Sequence, residues 1–211
     1  MTLVRRTIEK AVLGVRVSNS ADGLSALHHP GCAAVIWQRN VAPEVSETLA
    51  SIDPHVLPST RAIVRPGSIR HALEIVCDDA EPEHRATLDW LVDDIITLAA
   101  RFTGLMHPPY LRLRLEIVTT DACRKFHVDA VTARLICTYR GTGTQCGISV
   151  KGAEPKRVIT VPTGAPIILR GTKWPATPAS GLLHRSPPIN RTGESRLLLV
   201  LDLIFELTDE I

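Results

Sequence analysis

The apolar residues of this chain change their spacing at His107-Pro108-Pro109. Before that point, Leu88, Leu91, Val92, Ile95, Leu98, Ala99 and Phe102 recur at helical intervals, which predicts a helix from about Thr87 to Phe102. Asp89, Asp93 and Asp94 lie toward its start, Arg101 lies toward its end, and Gly104 is expected to stop it. Beyond the prolines, Leu111, Leu113, Leu115 and Ile117 alternate with Arg112, Arg114 and Glu116, as in a half-buried strand. A chain that switches period in this way packs helices against a sheet.

The rest of the sequence extends both patterns. Pro43 opens a short helix with Val45, Leu49 and Ile52 on one face, and Ser68 is placed to cap another carrying Ile69, Ala72, Leu73 and Val76. Asp78 to Glu83 reads as a polar loop. After the first strand, further strands are expected over Ala133–Tyr139, Arg157–Val161, Pro166–Arg170, Gly181–Arg185 and Arg196–Glu206, with Gly and Pro in nearly every gap. Short strands with no helix between them imply an antiparallel sandwich or barrel. The expectation is an α+β fold in which a mainly helical region, residues 1–106, supports a β core, residues 107–211. The helices carry too little apolar surface to form a core alone, so one integrated domain of 211 residues is expected.

Composition removes several function classes. Lys and Arg number 24 against 22 Asp and Glu, a formal charge of +2, which gives no support to a nucleic-acid or membrane-surface binder. No apolar run approaches the roughly 18 residues that span a bilayer, and Met1 to Arg6 lack the apolar stretch of a secretory signal. A cytoplasmic protein with reduced thiols is expected. The cysteines, at 32, 77, 123, 137 and 146, form no CxxC pair. HExxH, GxSxG and GxxxxGK[ST] are absent, and the glycines between Gly141 and Gly147 have the wrong spacing for a dinucleotide loop.

The segment Cys123-Arg124-Lys125-Phe126-His127-Val128-Asp129 carries the chemistry. In extended backbone His127 and Asp129 point to one side, so an imidazole and a carboxylate converge from one strand edge. His184 lies in a later strand, Gly181 to Arg185. Two histidines and a carboxylate form a facial triad, which leaves one face of an octahedral metal open. Arg196, twelve residues past His184, opens the last apolar strand, and a return beside the ligands would let its guanidinium fork a carboxylate.

This ordered set resembles the non-haem iron, 2-oxoglutarate-dependent dioxygenases. That resemblance implies a double-stranded β-helix (jelly-roll, cupin-like) core, Fe(II) on His127, Asp129 and His184, 2-oxoglutarate anchored by Arg196, and a weaker cosubstrate contact from Tyr139. A closer resemblance rests on Phe126-His127-x-Asp129, Arg134-Leu135-x-x-Thr138-Tyr139-x-Gly141-x-Gly143-Thr144, His184-Arg185-Ser186-Pro187-Pro188 and Arg196-Leu197-Leu198-Leu199-x-Leu201-Asp202. These look like the DUF1826 family, a bacterial family of unassigned function with some members encoded near metal-homeostasis genes. The chain departs from its pattern at Gln145-Cys146, where Glu-Trp is expected.

Other readings stay open beside this one. The triad would equally hold zinc in a non-oxygenase protein of metal homeostasis, and a thiolate from Cys123 would favour that metal. A jelly roll binding a ligand without metal is a third possibility, in which His127 and Asp129 are a surface pair and His184 a satisfied core residue. Arg134 and Arg185 are candidates to bind an anionic group at the mouth of the site, or are outward residues with stems on apolar surface. Trp174, in a proline-rich loop, is a candidate lid residue or an indole that pins its loop. Cys123 and Cys137 read as small core residues, and Cys146 as exposed. The partner expected is a small-molecule substrate of unreadable identity; oligomeric state is not encoded legibly.

Overall fold

The alternating leucines after the prolines form the centre of the molecule. In the computed structural model, which describes residues 14–78, 81–121, 123–148, 155–175 and 179–207, they fold as β4 (Tyr110–Val118). The other strands are β1 (Gly14–Ser18), β2 (Cys32–Trp37), β3 (Thr60–Val64), β5 (Ala133–Arg140), β6 (Gln145–Ile148), β7 (Val158–Thr160), β8 (Pro166–Arg170), β9 (Leu182–Arg185) and β10 (Arg196–Ile204). They make a seven-stranded sheet of order β1-β2-β8-β5-β10-β4-β3 and a three-stranded sheet of order β7-β6-β9. Among the described residues three α-helices accompany them: α1 (Pro43–Ser51), α2 (Ile69–Cys77) and α3 (Arg85–Met106). The fold is mixed α and β, dominated by the larger sheet.

Side chains on that sheet alternate between two environments, as strand geometry requires. Leu111, Leu113 and Leu115 of β4, Leu135, Cys137 and Tyr139 of β5, and Leu197, Leu199, Leu201 and Leu203 of β10 join a core with Leu49 of α1, Leu73 of α2 and Leu88, Leu91, Ile95, Leu98 and Phe102 of α3. On the opposite face, Ile136, Ile167, Leu169, Leu198 and Val200 meet Cys146 of β6 and Leu182 of β9 in a second, smaller core. The site lies on this second face.

The residues expected to be mainly helical also supply three strands. β2 was not anticipated because its sequence, CAAVIW, is an unbroken apolar run without alternation; it is buried on both faces and pairs with β1 and β8. β1 and β3 are the two edges of the large sheet, so the sheet itself joins both halves of the chain. β6 grows out of the glycine cluster that read as a loop. Gly104 does not stop α3, which continues to Met106; His107 caps it in the left-handed conformation (φ 49°, ψ 51°) before the two prolines. One exposed glycine costs a helix only about 1 kcal/mol, which the surrounding turns absorb. Ser68 occupies the cap of α2 without a side-chain capping bond.

The amino-terminal segment read for a secretory signal, two residues of the expected 78–83 loop, and part of the loop after Trp174 lie outside the described residues. Among those described, no helix is long and apolar enough to cross a membrane.

Candidate metal centre and arginine-lined groove

The local chain brings the three expected ligands together through backbone pairing. His127 and His184 form an isolated antiparallel bridge, with His127 N donating to His184 O (3.0 Å) and His184 N donating to His127 O (2.9 Å). Directly paired residues of a sheet present their side chains on the same face, and the two imidazole centroids are 4.5 Å apart. Asp129, two residues on, follows by the period of an extended chain. One donor atom from each of His127, Asp129 and His184 lies within 4.8 Å of the others. His184 is buried and the other two are partly so.

Two of the three side chains, His127 and Asp129, are oriented from behind. His127 Nδ1 lies 2.8 Å from Lys125 O, and a proton on that nitrogen leaves the Nε2 lone pair facing Asp129 Oδ1 at 3.4 Å. Arg134 Nη1 holds Asp129 Oδ1 at 2.6 Å. The second oxygen, Oδ2, is 3.0 Å from His184 Nε2 yet is buried without a hydrogen bond. Burial pushes the Asp129 carboxyl up, but the two imidazoles and Arg134 outweigh it and hold the group well below the usual carboxylate range. Asp129 in turn holds the His127 imidazole above its ordinary value. Two imidazole nitrogens beside an ionised carboxylate with an unspent buried oxygen fit a divalent transition metal.

Arg134 therefore does not offer its guanidinium to an anion. Its Nε and Nη2 grip Asp202 at 2.6 and 2.8 Å, while its third nitrogen takes Asp129. Asp202 is 1% exposed. It also lies 3.8 Å from Arg112 and 3.9 Å from Arg114. Arg134 fixes the orientation of the Asp129 carboxylate.

Arg196 is fully buried on the same face. Its Nε donates to Thr142 O (2.6 Å) and Nη2 to Thr138 Oγ1 (3.2 Å), whereas Nη1 is buried without a partner. Burial pushes this guanidinium down to about 10. The turn that receives it needs Gly141: at φ 79°, an added Cβ would sit 2.8 Å from Ser195 O and 2.9 Å from Arg196 Cγ.

Two expected site residues lie elsewhere. Tyr139 belongs to the helix-facing core, where its hydroxyl donates to Asp94 Oδ2 of α3 (2.7 Å) and its ring meets Trp90 edge-on. Tyr139 reaches that face by the same alternation as Leu135 and Cys137, and the register between β5 and β10 slips beside it, from Leu198↔Thr138 to Leu197↔Arg140. Trp174 also packs against the helix-side core, under the Arg170 guanidinium (4.6 Å) and beside His28 (5.6 Å). It pins a loop and does not cover the triad.

Arg185 does line the triad cavity, with its guanidinium 4.3 Å over the Phe126 ring and its Nε donating to Gln145 Oε1 (2.8 Å). The expectations for Cys123 and Cys146 reverse. Cys123 is exposed and lines the same cavity, whereas Cys146, opposite His184 in β6, is fully buried and its thiol is pushed up to about 12 by that burial. Cys137 is a core residue as expected, its thiol likewise pushed up to about 12.

Sequence reasoning passed over Arg114 and Asp202. Both were visible as charges at alternate positions of otherwise apolar strands, but such a pattern equally describes a solvated face.

Two solved structures share the fold along nearly the whole chain. The dioxygenase for auxin oxidation of rice is 12% identical, with a TM-score of 0.53 over 93% of this chain and 84% of that one. Dioxygenase for auxin oxidation 1 from Arabidopsis thaliana, in its 2-oxoglutarate binary complex, is 11% identical, with a TM-score of 0.54 over 93% and 94%. At such identities the likeness is one of fold. No curated protein matches the chain. The motifs around His127, Arg134, His184 and Arg196 are accounted for more directly, because residues 18–202 match the family described as "Protein of unknown function (DUF1826)", and the chain belongs to that family.

Proposed function

We propose that this protein is a non-haem Fe(II)- and 2-oxoglutarate-dependent oxygenase acting on a small molecule, built on a jelly-roll core as one integrated domain. The observation that carries this reading is the convergence of His127, Asp129 and His184 donor atoms within 4.8 Å, with Asp129 Oδ2 buried without a hydrogen bond 3.0 Å from His184 Nε2. Iron held by such a set, with 2-oxoglutarate, supplies the oxidising chemistry; the chain supplies position and a desolvated cavity.

The roles of the residues follow from their contacts. His127, Asp129 and His184 hold the metal from one side. Arg134 keeps Asp129 ionised and turned so that Oδ2 faces the imidazoles. Arg196 anchors the distal carboxylate of 2-oxoglutarate. A buried guanidinium with one nitrogen unsatisfied is costly until an anion takes it, and Arg196 Nη1 is such a nitrogen. Ile136, Leu198 and Val200 floor the cavity and exclude water from it.

Anaerobic addition of Fe(II) and 2-oxoglutarate to the purified protein tests this. A visible charge-transfer band is expected, absent in His127→Ala, with 2-oxoglutarate binding weakened at least about tenfold in Arg196→Leu. Tight zinc with no 2-oxoglutarate binding would instead identify a zinc protein, the reading that Cys123 at the cavity wall favours.

A further inference from the structure

Two cavities of the groove meet at Arg114. One, of about 250 Å³, contains His127 and His184 and has Ile136, Leu198 and Val200 among its walls. The other, of about 400 Å³, opens beside Ala62, Ile63 and Arg112. Arg61, Arg114 and Arg134 line both.

The strand register makes this junction electrostatically odd. Arg61 of β3 stands directly opposite Arg114 of β4, and like charges in that relation destabilise a sheet. Arg61 is drawn aside to Glu116, with Nη2 2.5 Å from Oε1. Arg134 is committed to Asp129 and Asp202. Arg114 is left with Asp202 at 3.9 Å, a carboxylate that Arg134 already forks, and its Nε is buried without a partner. Across the sheet from Arg114 the same row runs through Val200 and Ile136. Charge and apolar surface therefore sit side by side along one line that reaches the triad cavity.

We propose that the groove binds a small amphiphilic acid, its carboxylate or phosphoryl group forked by Arg114 and its apolar body laid on Val200 and Ile136 toward the triad. The role of that acid as the substrate rests on the oxygenase reading; its binding does not. Arg114 thus becomes the specificity-determining residue, on a different strand from the Arg196 anchor.

Simple probes decide the matter. Benzoate, phenylphosphonate and neutral benzamide are titrated calorimetrically into the full chain, with 2-oxoglutarate binding measured beside them. At least one of the two acids should bind about tenfold or more tighter than benzamide, and that preference should vanish in Arg114→Gln and return partly in Arg114→Lys. The tighter acid identifies the anionic group. Unchanged thermal midpoints show that the variants fold; if Arg114→Gln does not, Arg114→Lys is compared directly with the parent, with a preference for the acids weaker than the parent's but still present expected, and an unchanged preference overturning the proposal. Equal binding of acids and benzamide overturns the proposal, as does loss of 2-oxoglutarate in Arg114→Gln with acid binding intact. Arg114-dependent acid binding in a protein that does not take up 2-oxoglutarate would leave this inference standing and remove the oxygenase.

Discussion

Along β10, Leu197, Leu199, Leu201 and Leu203 face the helices, while Arg196, Leu198, Val200 and Asp202 face the groove. The same strand thus serves two environments at alternate residues. The helix side is closed by apolar side chains of α1, α2 and α3, and its stability comes from area removed from water. The groove side is closed by ion pairs around Asp202 and left partly open at Arg114, Arg196 and Asp129, each with a buried polar atom lacking a partner. Native interiors seldom leave such groups unsatisfied. Arg114 and Arg196 on one face of the large sheet, with Asp129 in the segment before β5, mark where the molecule holds stability back for binding.

Mutations on the two faces should separate accordingly. Asp202→Ala should have the largest effect on folding, about 3–5 kcal/mol, because it strands the buried Arg134 that also orients Asp129; denaturant unfolding measures the loss, and weaker metal binding should accompany it. Leu199→Ala, on the other face of the same strand, should cost about 2–5 kcal/mol by opening a core cavity while metal affinity stays as in the parent. If Leu199→Ala weakens metal binding as much as Asp202→Ala does, the separation of faces fails. Tyr139→Phe should cost about 1 kcal/mol through the lost bond to Asp94 and leave 2-oxoglutarate binding untouched, in contrast with the cosubstrate role that its family position implied. Gly104→Ala should stabilise by about 0.5–1 kcal/mol, since the residue is helical and an added Cβ meets no atom within 4 Å; a higher thermal midpoint reports it.

The sequence made legible what depends on period and order. Strands β4, β5, β8, β9 and β10 and the body of α3, though not its ends, follow from apolar spacing, and the convergence of His127 and Asp129 with His184 follows from the two-residue repeat of extended backbone and the order of the strands. It concealed what depends on pairing between distant segments. β2 has no alternation because both its faces are covered. Alternation with Leu135 and Cys137 puts Tyr139 on the helix face, but the acceptor of its hydroxyl, Asp94, lies 45 residues away. Arg134 read as a free cation because its carboxylate, Asp202, lies 68 residues away. Arg112, Arg114 and Glu116 read as a solvated face because the groove they line is assembled from β3, β4, β5 and β10 together.

Equilibrium binding of Co(II), a spectroscopic substitute for Fe(II), tests the central claim most directly. The account predicts one ion per chain in the parent protein and none in the folded His127→Ala/His184→Ala variant. One ion retained by that folded variant would contradict it, because the metal would then not be held by the triad.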